Sequence, residues 1–318
     1  MMHLAWRQFR SQAAVGTVGL VLVAIVAAIT GPHLVHLYDT TVAACSAHGD
    51  CSSASTAFLG NDSTLRTWLG ILVVVVPGII GLFWGAPLVA RELEAGTHRL
   101  VWTQSITRTR WLTGKLLVGG LVTAGLVALL MPLLGWWIGA MRTGPGIVPK
   151  YFGVTGVASV GYAVFAYLLG AALGTVIRRP GWAFAAGLPV FAAVRLLVDG
   201  LRPTLVPPVF AAGPAAPFAG TQPAGWVLNA AYLPLGRTSP AAGLTWASSQ
   251  DHLGSCFYQD QSQAGLDHCA AAARLHLVFE YQPESHYWAL QGVETAIYLG
   301  MALILALVTL VAVRRWRA

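Results

Sequence analysis

Six long apolar runs constrain this chain more than any other feature of its sequence. They cover roughly residues 12–30, 67–90, 116–139, 153–177, 182–199 and 289–313. A helix needs about 20 residues, at about 1.5 Å of rise each, to cross the hydrocarbon core of a bilayer. Hydrophobic residues make up 56% of the chain and charged residues only 10%, so a membrane protein is favoured over a soluble domain. The sequence predicts an all-α integral membrane protein with six transmembrane helices, forming a single domain over residues 1–318.

The placement of basic residues predicts that both termini are cytoplasmic (N-in/C-in). In that orientation the cytoplasmic segments hold 12 of the 19 Lys and Arg residues but only two of the 12 acidic residues. An excess of Lys and Arg in short loops marks the cytoplasmic side of a membrane protein. The net charge of +7 therefore reflects topology, and we expect no nucleic-acid partner. The first apolar run is longer than a typical signal core, so we interpret it as an uncleaved span in the plasma membrane.

Two segments are predicted to be extracytoplasmic, a loop at 31–66 and a larger insert at 200–288 before the last span. Together they contain all four cysteines: Cys45, Cys51, Cys256 and Cys269. Disulfides form outside the cytoplasm, so all four are disulfide candidates, with the pairing left open among three possibilities. Zinc is the rival interpretation because Cys269 follows His268, but no C-x-x-C or H-x-x-x-H spacing is present, so we expect no metal.

The insert at 200–288 begins with a Pro-rich run that would stop a helix continuing from the fifth span. Further along, Gln263–Phe279 is predicted to form a short amphipathic helix. The residues of its apolar face would be Leu266, Cys269, Ala270, Ala273 and Leu277.

A polar segment at 91–115 separates the second and third apolar runs and is densely charged. Glu92 and Glu94 close the second span, and Gly96-Thr97 supplies a turn. Two short helices are expected to follow and to make a protruding loop. One interpretation is an interfacial loop whose arginines contact anionic lipid.

The string RELEAGTHRLVWTQSITRTRWLTGK in this segment resembles the signature that follows the second span of ABC-2 type ABC transporter permeases, particularly those of the actinobacterial efflux-type subfamily. The basic N-terminal stretch 3–10 is similar to the amphipathic interface helix of that family, and 281–288 to a segment before its last span. The resemblance implies a type V exporter-like permease whose loop is a coupling helix that docks on an ATP-binding subunit. The coupling residues implied are Glu92, Glu94, Gly96, Thr97, Arg99 and Trp102.

The chain has no catalytic residues or energy source that its sequence reveals. Around Gly114-Lys115 the P-loop pattern fails, because position 109 is Thr and position 116 is Leu. We therefore expect no cofactor on this chain, with ATP and Mg bound by a separate ATPase. The resemblance implies two copies of that subunit and a second permease, as a homodimer or heterodimer. It also favours export of a lipophilic or amphiphilic compound, such as a drug, an antibiotic peptide or a lipid.

A few polar residues fall inside the apolar runs. Arg195 and Asp199 lie four apart on the fifth span, and Glu294 is at a similar depth on the sixth. Charged groups at such depth avoid lipid, so the three form a possible intramembrane polar network, structural or functional. G-x-x-x-G spacings at 81–85 and 170–174 predict close helix contacts, either within the chain or between subunits.

Two function classes other than transport are an intramembrane protease and a non-transporting scaffold. An intramembrane protease would need a metal motif, paired aspartates or a Ser/His dyad, and Ser159 has no histidine partner within the spans. A non-transporting scaffold or sensor subunit that recruits an ATPase stays open, because docking and conduction are separate properties.

Overall fold

The structure is a computed structural model. It describes residues 2–38, 40, 63–94, 107–139, 147, 152–153, 156–213, 225–236 and 263–315. The chain divides into two compact units. The first comprises Met1–Thr143, Lys150–Val198 and Gln291–Ala318, and the second Gly144–Pro149 and Asp199–Leu290. The boundaries of the second unit lie close to those predicted for the insert at 200–288.

Six long helices account for most of the described residues. They are α1 (Met2–Tyr38), α2 (Ser63–Glu94), α3 (Arg108–Gly139), α4 (Ala158–Ile177), α5 (Pro180–Leu201) and α7 (Tyr287–Arg315). All six are long and apolar enough to cross a membrane, which confirms the predicted number of spans. Residues 3–10 lie within α1, whose backbone is helical without a break from Met2 to Tyr38. Likewise α3 already begins at Arg108, where the sequence predicted a separate short helix before the third span.

The outward faces of these helices are apolar. On α1 the exposed large residues recur every three or four positions, as Val15, Val18, Leu22, Ile25 and Ile29 do. This spacing places them on one helix face. In water such a surface would favour aggregation, whereas in a bilayer it contacts lipid.

Glycines bring α2 and α4 into backbone contact. A Cβ added at Gly85 would lie 2.0 Å from the carbonyl oxygen of Tyr167, and one at Gly81 would lie 2.4 Å from that of Ala163. From the other side, a Cβ at Gly170 would lie 2.7 Å from the amide nitrogen of Ala86. The two G-x-x-x-G spacings thus pack against each other within one chain, and the intramolecular alternative is the correct one.

Large aromatic side chains fill the interior of the first unit. Tyr298 of α7 lies edge-on to Tyr162 and Phe165 of α4, with ring centroids 4.7 and 5.6 Å apart respectively. Phe191 of α5 stacks on Phe165 at 6.3 Å. Edge-on and offset contacts of this kind contribute about 0.5–1.5 kcal/mol beyond the burial of area. They join α4, α5 and α7 into one packed group.

The second unit contains a β-sheet, so the all-α prediction is wrong for this part of the chain. Its strands are β1 (Val209–Gly213), β2 (Gly225–Pro234) and β3 (Leu275–Pro283), with α6 (Gln263–Ala272) before β3. β3 is the central strand and pairs antiparallel with both others, Phe279 lying opposite Ala211 on β1 and Ala230 on β2.

The helix predicted at 263–279 is correct only up to Ala272. Arg274 adopts a positive φ of 52°, which ends α6 and turns the chain into β3. From Leu275 the aliphatic and aromatic side chains Leu275, Leu277, Phe279 and Tyr281 alternate with other residues at a period of two. Such alternation favours a strand, and so do the β-branched and aromatic residues of this stretch.

Candidate coupling site and buried polar cluster

An ion pair joins the two ends of the charged 91–115 segment. Glu92, in the last turn of α2, accepts a hydrogen bond from the Lys115 ammonium of α3. The Lys115 ammonium also lies 4.8 Å from the ring centroid of Trp111, one helical turn earlier. Trp111 and Lys115 are both buried. An aromatic face and a carboxylate together stabilise an ammonium that burial has removed from water.

A third helix, α4, also contacts Lys115. The Tyr167 hydroxyl of α4 donates a hydrogen bond of 3.0 Å to the main-chain carbonyl oxygen of Lys115. Tyr167 is completely buried, so this bond satisfies a hydroxyl that has no access to water. The residues Glu92, Trp111, Lys115 and Tyr167 form what we call the loop base.

The predicted coupling residues divide between the loop base and the part of the chain beyond it. Glu92 is partly buried within the loop base, whereas Glu94, two residues later, is exposed at the end of α2. Gly96, Thr97, Arg99 and Trp102 lie outside the described residues, as do the cysteines Cys45, Cys51 and Cys256. Docking by this segment therefore stays a prediction. Trp111 and Tyr167 are residues of this site that were not predicted from the sequence. The four-residue spacing of Trp111 and Lys115 was a usable signal for the first of them.

A second polar site lies between α4, α5 and α7 in the first unit. The Arg195 guanidinium of α5 donates a hydrogen bond of 2.9 Å to the Glu294 carboxylate of α7. The Tyr162 hydroxyl of α4 donates to the same carboxylate oxygen at 2.6 Å. The guanidinium carbon also lies 4.0 Å from the Tyr162 ring centroid. Each of the three helices contributes one side chain to this buried polar cluster.

Gln291, one turn before Glu294, extends the cluster toward the start of α4. Its side-chain oxygen accepts a hydrogen bond of 2.9 Å from the Ala158 amide, and its side-chain nitrogen donates one of 2.7 Å to the Phe152 carbonyl. Ala158 is the first residue of α4, so the amide that Gln291 satisfies has no partner within the helix. At Gly156 a Cβ would lie 2.2 Å from the Gln291 side-chain carbonyl carbon, which explains the glycine there.

Asp199, the third residue of the predicted network, forms an ion pair outside the buried polar cluster. It pairs with Arg202, three residues later, in the turn that follows α5. Arg195 and Glu294 are therefore brought together, while Asp199 has a partner that the sequence analysis did not consider. Four-residue spacing indicated a shared helix face for Arg195 and Asp199, and the 3-10 turn Arg202–Thr204 brings a second cation to the Asp199 carboxylate.

The family of the chain is identified by comparison with known protein families. Residues 17–202, more than half of the 318, match the family model described as ABC-2 membrane transporter related. The chain belongs to this family. It is therefore a multi-pass membrane protein and a membrane component of an ABC transporter, and the family implies partnership with an ATP-binding subunit. No curated protein matches the chain. Among the described residues no group of three His, Cys, Asp or Glu side chains is arranged to hold a metal ion.

Proposed function

We propose that this chain is the permease subunit of an ABC exporter of the actinobacterial efflux type, powered by a separate ATPase in the plasma membrane. The observation that carries the proposal is the family match over 17–202, which includes the entire 91–115 segment. The cargo class we propose is lipophilic or amphiphilic. Apolar helix surfaces with few fixed charges suit such a compound better than a hydrophilic one.

The loop base supports a coupling role for the connection between α2 and α3. Residues 95–107 connect α2 to α3, and the Glu92–Lys115 pair joins the last turn of α2 to the second turn of α3. A force applied to the connection by a closing ATPase is therefore transmitted to both helices together. Glu94 is exposed beside the pair and available for contact with a cation on the partner.

The proposed topology has both termini, the 91–115 segment and residues 178–179 in the cytoplasm. Residues 3–10 of α1 then lie at the inner membrane surface, and the second unit lies outside. An outward position of that unit, which contains the buried Cys269 of α6, would expose its cysteines to an oxidising environment in which disulfides form. We propose that all four cysteines are oxidised in the mature protein.

The proposed assembly contains two permeases and two ATP-binding subunits. A symmetric pair of six-span subunits places the pathway on the two-fold axis. Native mass measurement of the detergent-purified complex tests this, and a single permease per assembly would contradict it.

Charge reversal at Glu94 tests docking. In the Glu94→Arg variant a repulsive contact replaces an attractive one, so co-purification of the ATPase falls by about tenfold or more if the contact is desolvated. Membrane insertion stays normal. Glu284→Arg is the matched control, because Glu284 is equally exposed but lies between β3 and α7. Normal co-purification and transport by Glu94→Arg would show that the segment does not dock.

Exchanging the charges of Glu92 and Lys115 tests the role of the loop base. Each single reversal buries two like charges together, so both Glu92→Lys and Lys115→Glu lose ATPase-coupled transport. The double exchange restores the attraction and recovers transport if Glu92 acts within this chain. If Glu92 contacts the ATPase directly, the double exchange stays as defective as Glu92→Lys.

A non-transporting scaffold that recruits the ATPase is the alternative. Reconstituted complex separates the two, since an exporter shows ATPase activity stimulated by its cargo and a scaffold does not.

A further inference from the structure

A cleft of about 580 Å³ opens between α1, α2 and α5 in the first unit. Its size falls in the range of about 300–1,000 Å³ that is usual for sites of small organic ligands. The walls are formed by Val15 of α1, by Phe83 and Pro87 of α2, and by Pro180 and Phe184 of α5. These surfaces are apolar and offer no hydrogen bonds from side chains. A hydrocarbon chain matches such walls, whereas a hydrophilic solute does not.

Among the residues whose side chains the structure describes, Arg91 is the charged one that lines the cleft. Arg91 lies four residues after Pro87 and eight after Phe83, so the three follow one another along one face of α2. The guanidinium is thus at one end of the apolar wall, in the last turn of α2. The cleft is cationic at this end and apolar along the rest of its length.

The cationic end lies where the apolar run of α2 ends and that of α5 begins. At this end α2 leaves its apolar run through Arg91, Glu92 and Glu94, and α5 begins after the exposed pair Arg178-Arg179. The first turn of α5, which includes the lining residues Pro180 and Gly181, adds the partial positive charge of a helix N-terminus. A ligand that fits this arrangement carries an anionic group at the interface and an apolar chain directed into the membrane.

We propose that this cleft binds an anionic phospholipid from the leaflet that adjoins the 91–115 segment. The phosphate pairs with Arg91, and one acyl chain lies between Phe83 and Phe184. The site lies immediately beside the loop base, because Arg91 precedes Glu92. Lipid bound there holds the end of α2 and so influences the segment proposed to couple to the ATPase. The lipid site itself does not depend on the transport function being correct.

Lipid titration with native mass spectrometry tests the site on the full-length, detergent-purified chain. The probes are dioleoyl phosphatidylglycerol and dioleoyl phosphatidylcholine, which share their acyl chains and differ in net charge. We expect the anionic lipid to bind more tightly to the wild type. Arg91→Gln should lower its affinity about fivefold, as expected for one basic side chain near a membrane surface. Arg110→Gln is the matched control, because it removes the same charge from the exposed start of α3.

A larger side chain in the wall of the cleft tests whether the cleft holds an acyl chain of the lipid. Among the residues that the structure describes, none has an atom within 4 Å of a Cβ built at Gly181, and Gly181 lines the cleft, so we expect Gly181→Leu to narrow it. Gly125→Leu on α3 is the control, since a Cβ there also meets no described atom within 4 Å and Gly125 does not line the cleft. We expect Gly181→Leu to reduce lipid occupancy and Gly125→Leu to leave it unchanged.

Three results would overturn the lipid site. The first is equal affinity of the two dioleoyl lipids for the wild type. The second is an equal loss from Arg91→Gln and Arg110→Gln, which would indicate general surface attraction. The third is tight binding of dihexanoyl phosphatidylglycerol, whose chains are too short to fill the cleft. Each readout is lipid binding to the chain alone, so a failure of ATPase docking leaves the test intact.

Discussion

At the scale of single residues, the arginine–glutamate pair between α5 and α7 carries a large desolvation cost. Arg195 and Glu294 have side chains only 6% and 0% exposed, so both charges have lost nearly all contact with solvent. Such a pair contributes little net stability compared with apolar residues of the same size, because desolvation offsets the attraction. Its value lies in specificity: α5 and α7 have one register in which both charges are satisfied.

Removing one charge of the pair should destabilise the protein more than removing both. In Glu294→Gln the guanidinium of Arg195 stays buried without its counter-charge, at a cost of about 3–5 kcal/mol. The double variant Arg195→Met with Glu294→Met should lie closer to the wild type than Glu294→Gln does, although it also removes the acceptor of the Tyr162 hydroxyl. Equilibrium unfolding in mixed detergent micelles measures both. Tyr162→Phe is the comparison for a single hydrogen bond, with an expected loss of about 1 kcal/mol. Equal stability of Glu294→Gln and the wild type would show that the pair is not desolvated.

At the scale of helices and strands, the close contact between α2 and α4 depends on glycines, which have no side chain to separate the two backbones. Gly85→Ala should therefore disrupt it, since the new methyl group would overlap the Tyr167 carbonyl oxygen at 2.0 Å. Overpacking of this kind costs about 1–3 kcal/mol, and more when the obstructing atom belongs to the backbone. Gly125→Ala in α3 meets no described atom within 4 Å and should be neutral. Size-exclusion chromatography of detergent-solubilised protein measures the folded fraction, and an unchanged monodisperse peak for Gly85→Ala would contradict the contact.

The spans were predictable from the sequence, but the details of the sites were not. Apolar runs of about 20 residues have few alternatives to membrane helices, so the six helices followed directly. The strands were missed because β3 follows α6 without a proline or an obvious turn signal, and a helical periodicity can be traced across the junction at Arg274. Pairings such as Glu92 with Lys115 depend on which helices are neighbours. A single sequence does not give that information.

At the scale of the whole molecule, we expect the 91–115 segment and the second unit to lie on opposite sides of the membrane. Thr107, before α3, and Leu235, after β2, are both exposed, and the proposed topology puts the first inside the cell and the second outside. A membrane-impermeant maleimide on intact cells should label Leu235→Cys and not Thr107→Cys. After permeabilisation both should react, as a control for accessibility. The parent chain should take up label only after reduction, since its four cysteines are proposed to be oxidised. Labelling of Thr107→Cys in intact cells would invert the topology.

The glycine contact between α2 and α4 also limits where a cargo can pass. With no room for a methyl group at Gly81, Gly85 and Gly170, the two helices leave no space for a solute between them at this contact. We therefore expect these two helices to move together during a transport cycle, and the start of α3 to move with them, since Tyr167 is hydrogen-bonded to Lys115. A permeation path, with the sliding surfaces it requires, therefore has to be sought at other boundaries of the chain or at a boundary with a second subunit.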